Sequence, residues 1–199
     1  VNFLELQPLT LEQIPAAVAL DQIALGGLWT EDGYRREIES DVSDLFAMTC
    51  ATQAKAPLLA LGCVWSILEE GHITLLAVHP DYRKQGLGQA MLVALMGAAR
   101  RRELEWVTLE VRKTNERAIV LYKKFAFAEV GIRKRYYTNP EEDALILWCK
   151  GLRQPEFNQT LNQWAQQVSD RLYHFDWQFT PSSISNFYAF DQVKPGNNP

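Results

Sequence analysis

The sequence is short of the residues that hold metals and cross-links. It has three cysteines and three histidines in 199 residues. Cys50, Cys63 and Cys149 lie far apart in apolar runs, with no CxxC pair and no Cys/His cluster, so no metal site is expected. The odd cysteine count and the want of a signal-type segment lead us to expect a reducing, cytoplasmic setting with the thiols buried. Apolar runs long enough to span a bilayer are missing, so no membrane association is expected. A positive net charge is missing too. The formal charge is -4, whereas a nucleic-acid-binding chain is usually basic overall, so direct nucleic-acid contact is not expected. There is no internal repeat. The hydrophobic content of 47% suits one compact domain, or a domain with an appendage.

The charge that is present is unevenly spread. Residues 1–80 hold 3 Lys/Arg against 11 Asp/Glu, residues 81–150 hold 14 against 9, and residues 151–199 hold 3 against 4. Alone, that describes two differently solvated faces. The basic third begins, however, at a stretch with a recognisable shape. Ile73 to Gln89, ITLLAVHPDYRKQGLGQ, reads as an apolar strand, a proline turn, and a basic glycine-bearing loop that opens a helix. Backbone N–H groups without an intrahelical partner collect at such a junction and make a seat for a phosphate or pyrophosphate. Small residues let the backbone approach the anion, and Arg83 and Lys84 add positive charge.

The rest of the chain alternates strands and helices. Asn2 to Pro8 reads as a strand. Thr10 with Gln13 forms a capping box for a helix that Gly26-Gly27 ends, and Thr30 caps a second helix to about Ser40. Leu45–Thr52, Leu58–Leu68 and Ile73–Val78 read as strands, with turns at Ala54–Pro57 and Glu69-Glu70-Gly71. A helix from Gly88 to about Arg102 follows the glycine loop. Trp106 to Val111 is a strand with Val107, Leu109 and Val111 on one face and Trp106, Thr108 and Glu110 on the other. Asn115 to about Phe125 is a helix. Val130–Tyr137 and Ala144–Lys150 are two last strands around Thr138-Asn139-Pro140. The pattern implies an α/β fold: a mixed, mostly antiparallel sheet of six to seven strands with helices on both faces.

The character changes at Gly151, and the expected division is a domain over 1–150 and an extension over 151–199. Phe157, Leu161, Trp164, Val168 and Leu172 form one apolar stripe of a helix over about 155–172. An irregular aromatic segment, 173–190, follows, with Phe175, Trp177, Phe179, Phe187, Tyr188 and Phe190. It holds too many aromatics for a solvated tail, so it is expected to pack on the domain or to bind a partner. Lys194–Pro199 are expected to be disordered.

VHPDYRKQGLGQAML, from Val78, resembles the acetyl-coenzyme A motif of the GNAT family of N-acetyltransferases, Gln/Arg-x-x-Gly-x-Gly/Ala. The context strengthens the match: the motif follows a strand, opens a helix, and is trailed by LEVRKTNERAIVLYKKFAF. The run from Leu109 to Phe127, then IRKRYYTNPEEDALIL, is similar to the RimI-like subgroup, which acetylates the N-terminal alanine of a ribosomal protein. The resemblance spans about Leu4 to Lys150 and leaves out residues 151–199. It implies a GNAT fold, acetyl-coenzyme A as co-substrate, and a protein or peptide N-terminus as acceptor. It implies that the main chain of Leu76, Ala77 and Val78 holds the pantetheine arm and the thioester oxygen. Arg83, Lys84, Gln85, Gly86, Leu87, Gly88 and Gln89 would wrap the pyrophosphate, and Asn115 would contact the coenzyme. Glu110 matches the family's proton acceptor and Tyr122 its proton donor. Trp29, Tyr136 and Tyr137 would flank the acceptor.

Each assignment has a plainer reading beside it. Glu110 could be a solvated charge or a partner of Arg112 or Arg133, Tyr122 could be core, and Trp29, Tyr136 and Tyr137 could be ordinary aromatic packing. His72, His79 and His174 are read as structural. Three positions depart from the family pattern. Ala126 and Glu103 stand where helix-ending glycines are common, so a left-handed residue there is strained by about 1 kcal/mol or replaced by another turn. Leu28 stands before Trp29 where a proline is usual, which alters the acceptor loop. Rival functions are a GNAT enzyme acting on lysine side chains or small amines, and a non-catalytic acetyl-coenzyme A-binding module.

Overall fold

The computed structural model describes residues 1–53 and 57–183. Strands and helices follow in the order β1 (Asn2–Pro8), α1 (Ile14–Leu25), α2 (Glu31–Glu39), β2 (Ser43–Cys50), β3 (Ala60–Ile67), β4 (Glu70–Val78), α3 (Leu87–Arg101), β5 (Trp106–Arg112), α4 (Glu116–Lys124), β6 (Ala128–Thr138), β7 (Glu141–Lys150), α5 (Glu156–Tyr173) and β8 (Trp177–Phe179). They build one eight-stranded sheet in the order β6-β7-β5-β4-β3-β2-β1-β8. β4–β5 and β1–β8 are its parallel pairs and the remaining pairs are antiparallel.

The sheet separates two apolar cores. On one face α1 and α2 bury Ile14, Ala17, Leu20 and Tyr34 against Leu45, Ala47, Leu61, Cys63, Leu75 and Ala77. On the other, α3 is buried almost all round and packs with Tyr122 of α4 and with Phe157, Leu161, Trp164, Val168 and Leu172 of α5. The apolar stripe of α5 therefore completes the larger core. Gly62 lets α3 lie close to β3: a Cβ there would stand 2.6 Å from Cγ of Met91.

One irregularity shapes the middle of the sheet. Along β3 and β4 the register slips between Cys63 and Val64, so Cys63 faces Leu75 and Val64 faces Ile73, with Thr74 as the extra residue. A bulge reverses the in–out alternation and increases local twist. Accordingly, Ile73 lies in the core under α3, whereas Leu75 and Ala77 lie in the core under α1.

The sheet has one strand more than the sequence pattern suggests. The aromatic segment is not irregular throughout: Trp177–Phe179 pairs parallel with Asn2–Leu4. Hydrogen bonds from Asn2 N–H to Asp176 O (2.7 Å) and from Thr180 N–H to Leu4 O (2.9 Å) close that pairing. A three-residue strand is too short for alternation to announce it. The Ala54–Pro57 turn in part, Phe187, Tyr188, Phe190 and the 194–199 terminus fall outside the described residues.

Both helix ends that lack the usual glycine adopt the strained form. Glu103 has φ +57° and Ala126 φ +62°. The orphan carbonyls are nevertheless satisfied, through Leu104 N–H to Ala99 O (3.1 Å) and Phe127 N–H to Tyr122 O (3.1 Å). Ala126→Gly is expected to raise unfolding free energy by about 0.5–1 kcal/mol, as relief of the left-handed strain outweighs the added freedom of the unfolded chain. Thermal and urea denaturation of the variant will read this directly.

Candidate active site

β4 and β5 are paired only at their start. Glu70, Gly71 and His72 align with Trp106, Val107 and Thr108, and no pairing between the two strands continues beyond. From Ile73 to Val78 β4 keeps β3 as its strand partner, and its other edge opens toward β5. Leu76, Ala77 and Val78 lie along that open edge.

Glu110 lies on β5 just past the parting, on the α1–α2 face. Its side chain is only 6% exposed. His72 Nε2 lies 2.6 Å from Glu110 Oε2, and Arg133 Nη1 lies 3.2 Å from Oε1. The hydrogen bond from His72 holds the carboxyl below its usual range against the opposing effect of burial, and the His72 and Arg133 charges add to it. Of the two plain partners considered for Glu110, Arg133 is therefore present. Arg112 instead pairs with Glu142 at 3.2 Å. His72 is the partner that sequence reading missed. Its ring also meets Trp65 edge-on at 6.2 Å.

Tyr122 projects from α4 into the larger core and is 8% exposed. Burial pushes its phenol well up, so it stays protonated. No hydrogen bond joins it to Glu110 among the described residues. Tyr137 lies between these groups and the surface. Its hydroxyl donates to Glu110 O at 3.4 Å, its ring lies 4.0 Å under the Arg112 guanidinium, and burial first of all pushes its phenol up to about 12. Tyr136 meets it edge-on at 5.1 Å and is 44% exposed.

Asp21 organises the other wall. It is fully buried on α1. Its carboxylate accepts from Leu28 N–H (2.8 Å), Trp29 N–H (2.8 Å) and Tyr34 Oη (3.1 Å). Three donors, two of them at the positive end of α2, compensate the buried charge. The loop carrying Trp29 is thus pinned from beneath, and Trp29 also packs edge-on against Tyr34 at 5.3 Å. Among the described residues no ring contact joins Trp29 to Tyr136 or Tyr137.

The glycine loop has the form expected of an anion seat. Gly86 caps α3 with φ +103°. The first N–H of α3 to find an acceptor is that of Ala90, bonded to Gly86 O at 2.9 Å. The N–H groups of Gln85 to Gln89 make no hydrogen bond among the described residues, which leaves five donors for a pyrophosphate. Gly88 stands where a Cβ would lie 3.4 Å from Cγ2 of Val78. Two side chains of the loop are already engaged by protein. Arg83 Nε donates to Val78 O (3.2 Å), and Gln85 Oε1 accepts from Trp177 Nε1 (2.7 Å). Asn115 Oδ1 caps α4 by accepting from Ala118 N–H at 3.2 Å. Its amide nitrogen remains for a ligand.

Comparison with known proteins decides the family. Residues 15–127 match the model of the acetyltransferase (GNAT) family. The chain belongs to the GNAT acetyltransferases. It is 31% identical over 138 residues to a putative ribosomal protein bS18-alanine N-acetyltransferase of Bacillus subtilis, a match covering 69% of this chain and 89% of that one. It is 34% identical over 136 residues to the ribosomal protein bS18-alanine N-acetyltransferase of Escherichia coli, covering 67% and 88%. The crystal structure of the ribosomal-protein-S18-alanine N-acetyltransferase from Escherichia coli superposes with a TM-score of 0.66 at 31% identity, over 74% of this chain and 94% of that one. The enzyme is therefore an acetyltransferase, and enzymes of this family draw the acetyl group from acetyl-coenzyme A.

Two outcomes follow from the buried carboxylates of this acetyltransferase. Asp21→Asn leaves one acceptor oxygen for three donors and turns an N–H toward another N–H. It should cost about 2 kcal/mol of stability and raise the acceptor KM while leaving the acetyl-coenzyme A KM unchanged. Glu110 is lowered on folding, so its stabilising contribution is complete above the unfolded carboxylate pKa of about 4.3 and is lost as pH falls through the folded value. The stability gap between the wild type and Glu110→Gln should thus shrink on titration from pH 6 toward pH 3, measured by urea denaturation at each pH.

Proposed function

We propose that the enzyme acetylates the α-amine of a protein N-terminus, with the N-terminal alanine of ribosomal protein bS18 as the leading acceptor. Support comes from the relatives at 31% and 34% identity, which span nearly nine-tenths of their own length and are named for that substrate. The observation that carries the proposal is the site of Glu110. It is a buried carboxylate, kept ionised by His72 and Arg133, beside the opening between β4 and β5.

The coenzyme supplies an acetyl group activated as a thioester. The protein residues divide the other tasks among them. The N–H groups of Gln85 to Gln89 hold the pyrophosphate, and the Asn115 amide adds a contact. The open edge of β4 at Leu76 and Val78 offers main-chain donors to the pantetheine arm and to the carbonyl oxygen, where negative charge develops, while Ala77 between them turns its N–H to Leu61 of β3. Glu110 takes the amine proton. A lowered pKa makes it a weak base, but a weak base suffices. An α-amine has a pKa of about 8, so a useful fraction is neutral at pH 7, and its nitrogen becomes strongly acidic as the new C–N bond forms. Tyr122, protonated throughout the neutral range, gives a proton to the departing sulfur as the C–S bond breaks. Trp29 on one side and Tyr136 with Tyr137 on the other would flank the first residue of the acceptor.

The test has two arms. Glu110→Gln should bind coenzyme A with wild-type affinity in a calorimetric titration and lose about 100-fold or more in kcat. Wild-type turnover in that variant removes Glu110 as the proton acceptor. Peptides beginning with alanine should be acetylated when their N-terminus is free and not when it is blocked. Modification confined to internal lysines overturns the N-terminal assignment.

A further inference from the structure

We infer that α5 and β8 are working parts of the coenzyme site: they clamp the outer side of the Lys84–Gly86 turn and fix the shape of the loop that receives the pyrophosphate. This rests on the assignment of that loop to the coenzyme.

The turn is not a shape the chain holds for free. Lys84 has φ +67° and Gly86 φ +103°, so two left-handed residues flank Gln85. For lysine that conformation is unfavourable and persists where the surroundings enforce it. Enforcement comes from the C-terminal extension. Arg171 Nη2 donates to Lys84 O at 2.7 Å, on the strained residue itself. Trp177 Nε1 donates to Gln85 Oε1 at 2.7 Å. The Trp177 ring meets Tyr82 edge-on at 6.1 Å, just ahead of the turn. Leu172 and the Arg171 stem cover Gly86 so closely that a Cβ there would lie 3.3 Å from Leu172 Cδ2 and 3.5 Å from Arg171 Cδ.

The division of labour between clamp and ligand is clean. The extension engages a carbonyl, an amide side chain and a Cα, and no backbone N–H of the turn. A pyrophosphate needs the N–H groups, so clamp and anion use different atoms of one loop and do not compete. The clamp is itself anchored. Leu172 is 1% exposed in the core with α3, and Trp177 is 4% exposed and paired with Asn2 across the sheet. Ordering of the turn is thereby met during folding instead of at binding, which raises affinity without a new contact to the ligand. Both elements lie beyond the family match, which ends at residue 127.

Trp177→Phe, Arg171→Met and the double variant test this in the full chain. Coenzyme A binding is read by calorimetry, and hydrogen exchange of the loop by mass spectrometry in coenzyme-free protein. Each single variant should bind coenzyme A about 3- to 10-fold more weakly, and the double more weakly still. The acetyl-coenzyme A KM should rise in step, kcat and acceptor KM should stay within about twofold, and exchange should quicken in the loop. Leu161→Val is the control. It thins the same helix in the core about 16 Å along the axis from Leu172 and should leave coenzyme affinity unchanged. Wild-type affinity and loop exchange in the Arg171 and Trp177 variants overturn the clamp, as does equal weakening by Leu161→Val. A wild-type chain that binds no coenzyme A overturns the loop assignment itself, and with it the clamp.

Discussion

The parting of β4 from β5 is the constraint on which this molecule turns. Two parallel strands that stayed paired would bury their edges and leave nothing for a ligand. Here pairing stops after His72 and Thr108. The bulge at Thr74 occurs two residues later on the same strand and reverses which face each side chain meets. Strand divergence and bulge together turn the end of β4 away from β5 while keeping it tied to β3. An exposed edge inside a sheet carries unpaired polar backbone, which is costly unless a ligand or solvent meets it. In an acetyltransferase that edge is an asset, because an acyl group and its arm are themselves rich in amides.

The side chains of Asp21 and Glu110 are two buried carboxylates, and they are stabilised by different means. Asp21 is neutralised by oriented donors, two main-chain N–H groups and a phenol, with no cation among its hydrogen-bond partners. Such an arrangement fixes geometry. Glu110 is stabilised by a histidine and an arginine, the latter 53% exposed. Side-chain partners of that kind can move or give way when an amine arrives. The contrast explains why one carboxylate suits a scaffold and the other suits proton transfer, although both are buried.

Much of the fold and the ligand loop was legible in the sequence because both are local. The strand–proline–glycine–helix sequence at Ile73–Ala99 and the cap at Thr30 write their conformations in adjacent residues. The strain at Glu103 and Ala126 was equally readable, since it follows from a missing glycine at a fixed offset. What escaped depends on partners far along the chain. His72 looked isolated because its partner is 38 residues away and because Glu69-Glu70-Gly71 read as a turn, when β4 begins at Glu70 and carries His72 into the sheet. Asp21 lay on a helix whose outward and inward faces differ little in hydrophobicity, and its partners sit beyond two glycines. β8 pairs with a strand near the start of the chain, and the contacts of Arg171 and Trp177 join residues about 90 apart, for which no period or spacing gives a sign.

Strained residues in this chain divide into two kinds, and the division separates stability from function. Glu103 and Ala126 are held left-handed by the hydrogen bonds of their own helix ends, so their strain concerns folding alone. Lys84 has no such local closure, and its carbonyl is fixed by an arginine 87 residues later. A turn that a helix end already determines needs no help from a distant segment. If the turn receives a pyrophosphate as proposed, it cannot satisfy itself, because local hydrogen bonds would consume the donors that such a ligand requires. Support then has to come from outside and through other atoms. The carbonyl of Lys84, the side chain of Gln85 and the bare Cα of Gly86 are the groups that remain, and they are the ones α5 and β8 engage.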